Sequence, residues 1–138
     1  MRLQFPIFVY GTLLPGEVNH DLFLRGRTRT EEPGRLNGAV LYDGPGYPYA
    51  VQERGGVVCG ELVTALPEEY EELLVALDRL EDYAPGDPRN LYERVERDVI
   101  RDAAGTAVRA WVYLAAPTVA ARLRARGKLI ESGDWRVG

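Results

Sequence analysis

With a single cysteine, Cys59, and a single histidine, His20, this 138-residue chain cannot close an intramolecular disulfide or assemble a recognised zinc cluster. A reducing compartment fits that poverty, and no metal is expected. No apolar run approaches ~18 residues, about the least that spans a membrane as a helix. No leader pattern develops at Met1-Arg2-Leu3-Gln4-Phe5-Pro6, where proline interrupts before an apolar stretch forms. A cytoplasmic location without a membrane partner is therefore the expectation. A basic excess is missing as well. Seventeen Lys and Arg against 21 Asp and Glu leave a net charge of −4, so no nucleic-acid partner is expected. Arg25, Arg27 and Arg29 are interleaved with Thr28 and Thr30 and run into Glu31 and Glu32, which reads as a solvated, mixed-charge edge.

What remains is an ordinary globular composition, 46% hydrophobic and 28% charged, at a length suited to one domain over residues 1–138. Strand signals dominate. Ile7–Tyr10, Gly38–Tyr42, Val57–Ala65, Tyr92–Ile100 and Val108–Leu114 are each rich in Val, Leu, Ile or Tyr and bounded by turn residues. Asp102-Ala103-Ala104-Gly105-Thr106 suits a hairpin between the last two, and Asp43 to Tyr49, with Gly44, Pro45, Gly46 and Pro48, predicts a shaped loop. One long helix opens at Pro67, with Glu68 and Glu69 in its first turn, and runs to about Asp82. A shorter one covers Thr118 to Arg126 and ends at Gly127. The pattern predicts an α+β fold, a small mixed β-barrel-like sheet with one main helix.

Two features carry chemistry. The strand Ile7–Tyr10 runs straight into Gly11-Thr12-Leu13-Leu14-Pro15-Gly16, where a turn without a Cβ at Gly11 leaves amides free to meet an anion or a carbonyl. On the main helix, Tyr70, Leu73, Leu74, Leu77 and Leu80 form the apolar stripe, and most acidic residues avoid it. Glu81 lies within roughly 45° of the stripe's centre. Held against apolar surface, its carboxyl loses hydration and its pKa moves towards the range useful to a general base. The same residue in a fraying last turn swings out to water or pairs with a strand arginine such as Arg94.

Together, Val9-Tyr10-Gly11-Thr12-Leu13 and Leu77-Asp78-Arg79-Leu80-Glu81-Asp82-Tyr83 resemble the γ-glutamylcyclotransferase-like superfamily, in particular its AIG2-like and γ-glutamylamine cyclotransferase branch. Gly16 to His20, Tyr47-Pro48-Tyr49-Ala50, Gly56 to Leu62, Tyr92-Glu93-Arg94-Val95, Ala110 to Leu114 and Lys128 to Trp135 follow in the same order along the chain. Thr12 stands where serine is frequent and retains the hydroxyl. The resemblance implies a small barrel-like fold with a cavity, no cofactor, and a small-molecule γ-glutamyl substrate. It assigns Tyr10, Gly11, Thr12 and Leu13 to substrate binding and Glu81 to acid/base catalysis. The implied reaction converts a γ-glutamyl amine or γ-glutamyl amino acid to 5-oxoproline and a free amine.

Tyr113, on a strand, is a further candidate for the substrate pocket, and Tyr47 and Tyr49 for its mouth. Tyr92 is weighed between core and cavity, His20 is read as packing or capping a short helix, and Cys59 as a small core residue. The alternative to an enzyme is a binding module for a γ-glutamyl or amino-acid-like ligand. The identity of the leaving amine and the oligomeric state stay open at this level.

Overall fold

Every strand the pattern predicts forms, but two are far longer than it suggests. The computed structural model describes residues 4–137; Met1 to Leu3, where the leader reading begins, lie outside the described residues. The strands are β1 (Ile7–Val9), β2 (Thr28–Tyr42), β3 (Tyr49–Ala65), β4 (Tyr92–Arg101), β5 (Ala107–Ala115) and β6 (Leu129–Ile130). Helix α1 spans Tyr70–Leu80 after a single 3₁₀ turn at Pro67–Glu69, and α2 spans Pro117–Arg126. The segment read as a mixed-charge edge, Arg25 to Glu32, instead enters β2 at Thr28. Its charged side chains remain exposed or half-buried, so the strand shows no apolar alternation there.

The sheet order is β3-β1-β5-β4-β2-β6, and β2 also pairs with β3, so five strands close into a ring with β6 laid beside β2. Most neighbours run antiparallel; β1 is the exception, antiparallel to β3 and parallel to β5. The hairpin at Asp102–Thr106 joins β4 to β5 as expected. Closure gives the sheet an inside and an outside, and the buried residues divide accordingly. Phe8, Leu36, Leu41, Leu62, Val99 and Val112 cluster without any helix residue, which is the barrel interior. Ile7, Val9, Val63 and Tyr113 cluster with Tyr70, Leu73 and Leu77 of α1 and Val119 and Leu123 of α2 on the outer face. Cys59, expected in the core, is only half-buried.

Long strands can wrap a barrel this small only by bending, and glycines mark one corner. Gly34 of β2 and Gly60 of β3 are cross-strand partners. A Cβ on Gly60 would stand 2.2 Å from the Val9 carbonyl oxygen and 2.8 Å from Phe8 Cζ; one on Gly34 would stand 3.1 Å from the Ile100 carbonyl oxygen. Main chain from two other strands, β1 and β4, approaches too closely there for a side chain. Gly60→Ala is expected to destabilise the protein by about 2 kcal/mol or more, because backbone cannot yield as a flexible side chain would. Urea unfolding with an unchanged m-value checks this; a loss within ~0.5 kcal/mol would show that the corner relaxes.

Candidate active site

After Val9 the chain leaves its pairing with β3 and β5 and emerges at the mouth of the barrel. The carbonyl of Gly11 accepts from the Leu14 amide at 3.0 Å, and that of Thr12 accepts from the Asn19 amide at 2.9 Å, so the segment folds into a closed loop. Asn19 also donates its side-chain Nδ2 to Thr12 Oγ1 at 2.9 Å. The Thr12 hydroxyl, already an acceptor, keeps its own proton to donate. Among the described residues, the amides of Gly11, Thr12 and Leu13 donate to no acceptor of the protein. Successive unpaired amides of this kind form a concavity suited to an anion or a polarised carbonyl. Gly11 is required by proximity: a Cβ would lie 2.8 Å from Pro48 Cδ.

Glu81 comes from the opposite side. Helix α1 ends at Leu80, two residues short of the sequence expectation, and Glu81 caps it, its amide still bonded to the Leu77 carbonyl at 3.0 Å. A cavity of about 270 Å³ receives both elements, lined by Tyr10, Gly11, Thr12 and Leu13 and by Glu81. Tyr113, Tyr92 and Tyr47 also line it; Tyr49 does not, being buried and stacked on Tyr92 with ring centroids 4.8 Å apart.

The hydroxyls of Tyr10, Tyr92 and Tyr113 are committed to the protein. Tyr10 donates to the Tyr113 carbonyl and accepts from the Ala50 amide. Tyr92 donates to the Pro48 carbonyl at 2.8 Å, and Tyr113 donates to Asp78 Oδ1 at 2.7 Å. The cavity therefore meets their rings more than their hydroxyls. Burial pushes the Tyr10, Tyr92 and Tyr113 phenols well above the ordinary range, so all three stay neutral.

Burial acts on Glu81 in the same direction and raises its carboxyl to about 7 from an ordinary 4.5. Among the described residues, no hydrogen bond or ion pair engages that carboxylate. Arg94, the partner considered from sequence, is held elsewhere. Its Nε lies 2.9 Å from Asp78 Oδ1, and its guanidinium sits 4.3 Å from the Trp111 ring centroid. His20 does not line the cavity; its Nε2 meets Glu31 Oε1 at 2.6 Å and ties the short helical turn His20–Leu24 to β2.

Asn19, Pro48, Leu80, Asp82 and Leu91 line the cavity too, and sequence reasoning had not singled them out. For Asn19 a usable signal exists, a side-chain amide seven residues after Thr12 and just before a helical turn. Asp78, whose carboxylate ties Tyr113 to Arg94, carries no such signal, since it lies on α1 and its partners come from β4 and β5.

The family model for γ-glutamyl cyclotransferase, AIG2-like, matches residues 7–137, which contain both the loop and Glu81. The chain belongs to this family. A relative from Niallia circulans, named γ-L-glutamyl-butirosin B γ-glutamyl cyclotransferase, is 38% identical over 115 residues, 82% of this chain and 69% of that protein. The crystal structure of an AIG2-like protein from Mus musculus superposes with a TM-score of 0.66 at 26% identity, over 85% of this chain and 82% of that one. A solution structure from Arabidopsis thaliana gives a TM-score of 0.70 at 26% identity, covering 99% and 75% of the two chains. The closed mixed sheet with its main helix is thus the γ-glutamylcyclotransferase fold.

Because the folded state prefers protonated Glu81, its contribution to stability is full below about pH 4.5 and is lost as pH rises through about 7. Glu81→Gln removes that loss. Chemical denaturation at pH 8 is expected to find the variant more stable by on the order of 2 kcal/mol, with no difference near pH 4. Equal stability at both values would mean that the carboxyl is solvated.

Proposed function

We propose that the protein converts a γ-glutamyl amide to 5-oxoproline and a free amine, with Glu81 as the acid/base. One observation carries this reading: a carboxyl raised to about 7, without a partner among the described residues, shares a cavity with three consecutive amides that have no acceptor among them. The reaction is an intramolecular acyl transfer. The substrate's α-amino nitrogen attacks its own γ-carbonyl carbon, closing a five-membered ring, and the bond from that carbon to the leaving nitrogen breaks. Glu81 takes a proton from the attacking nitrogen and returns it to the departing one, so the enzyme ends each turnover in the state in which it began.

The amides of Gly11, Thr12 and Leu13 receive the negative charge that develops on the γ-oxygen. Donors fixed in advance by the Leu14–Gly11 and Asn19–Thr12 hydrogen bonds need no rearrangement as it forms. The Thr12 hydroxyl supplies a further donor for the glutamyl carboxylate. Tyrosine rings exclude water, which strengthens these interactions and sets the basicity of Glu81. A carboxyl that titrates near neutrality serves both proton transfers better than an ordinary one, since it is neither too weak a base nor too weak an acid.

Purified protein incubated with a panel of γ-glutamyl amines is expected to release 5-oxoproline, and Glu81→Gln to lower kcat/KM by about 10² or more. Undiminished turnover by the variant would remove Glu81 from the mechanism, and no product from any amide would favour a binding module. For the active protein, kcat/KM should climb with pH and level off above an inflection near 7, because Glu81 must be ionised to accept the first proton. An inflection near 4.5 would indicate an unperturbed carboxyl and contradict the desolvated site.

A further inference from the structure

No lysine, arginine or histidine among the described residues lines the cavity, although Arg94 stands just outside it. Arg94 lies on β4 directly across from Tyr113 of β5, and Tyr113 is part of the cavity wall. The Arg94 side chain is 16% exposed, its guanidinium 4.3 Å from the Trp111 ring centroid and 5.8 Å from that of Tyr83. Asp78 of α1 faces the same spot. Its Oδ1 lies 2.9 Å from Arg94 Nε and accepts the Tyr113 hydroxyl at 2.7 Å. Arg94 Nε is buried and, among the described residues, forms no hydrogen bond of its own. Charge rather than a directed hydrogen bond therefore holds Arg94 to Asp78.

Asp78 precedes Glu81 by three residues, which makes the two neighbours on the helix surface, roughly 5–6 Å apart at Cβ. An arginine that reaches one carboxylate can reach the other. Resting on Glu81 as the acid/base of the cyclisation, we propose that Asp78 is a positioning residue that keeps Arg94 away from Glu81. Without it, charge draws Arg94 to Glu81, and an opposite charge within ~4–6 Å favours the ionised carboxylate and weakens it as a base. The other ionisable groups lining the cavity are Tyr10, Tyr47, Tyr92, Tyr113 and Asp82, none of them a cation. Arg79 of α1 lies beside Arg27 and Glu72 on another face of the helix, and Arg122 of α2 acts on Tyr49, which does not line the cavity. Arg94 is thus the cation that Asp78 has to hold.

Asp78→Asn keeps the shape of the side chain and an acceptor for Tyr113 while releasing Arg94. In that variant the inflection of kcat/KM near 7 is expected to fall by about one unit or more, because Arg94 then favours ionised Glu81. Asp78→Asn/Arg94→Met has no cation to redirect, and its inflection should return to near 7. Asp78→Ser releases Arg94 in the same way and serves if the asparagine variant does not fold. The Glu81 carboxyl is also titrated directly by carbon-13 NMR, its resonance assigned by its loss in Glu81→Gln, so the shift is read without turnover. An unchanged titration in the Asp78 variants would overturn the assignment. So would a lowered one that persists in the double variant, since it would trace the shift to the charge of Asp78 itself. A lowered titration restored in the double variant, with no 5-oxoproline from any γ-glutamyl amide, would uphold the placing of Arg94 by Asp78 and overturn the cyclisation reading.

Discussion

Three residues hold the barrel shut, and the site depends on where they end. Ile7, Phe8 and Val9 fill the gap between β3 and β5, pairing antiparallel on one side and parallel on the other. All three are buried, with Ile7 and Val9 turned to the helices and Phe8 to the interior. A strand used on both edges and both faces has almost no freedom of register, since a one-residue slip would exchange its two faces. The residue that leaves the ladder is therefore set, and with it the position of the Gly11–Leu13 amides. They are unpaired because the chain leaves the β3 and β5 ladders after Val9, and they stay ordered because Asn19 and Leu14 close the loop behind them.

The electrostatic character of the cavity follows from what the surrounding polar groups are already doing. Arg94 could neutralise a nearby acid, but Asp78 and the Trp111 ring hold it. Burial then acts on Glu81 without a cation to oppose it. The tyrosines contribute in the same sense. Their hydroxyls are engaged with carbonyls and with Asp78, so an apolar environment is built from residues that could have made it polar. The polar functions left to the cavity are few and local: the loop amides, Thr12, Asn19 and the two consecutive acids.

Legibility in the sequence tracked the local strength of each pattern. Helix α1 was readable from the stripe of Tyr70, Leu73 and Leu77 because burial on one side of a helix imposes its period on the sequence. The C-terminal half of β3 was readable as a short apolar run, because it is buried on both faces. The start of β2 and the N-terminal half of β3 were not. Arg29, Thr30, Glu53 and Arg54 are exposed, and Gly34, Gly38, Gly55 and Gly56 interrupt the run, so nothing there alternates. Those segments are strands because they pair with each other in a closed ring. The loop and Glu81 stood out because each departs from its local rule, one as unpaired backbone after a strand, the other as an acid on an apolar stripe.

By itself the sequence determined the elements whose period is written in side-chain polarity, the glycine turn after β1, and the face of the helix from which Glu81 projects. Only the tertiary structure decided that these meet in one cavity, that Arg94 is committed to Asp78 rather than to Glu81, and that Asn19 braces the loop. The division has a physical cause. Periodicity and turn chemistry are properties of neighbouring residues, whereas desolvation, ion-pair choice and the sharing of a cavity depend on groups brought together from β1, α1, β4 and β5 by closure of the sheet.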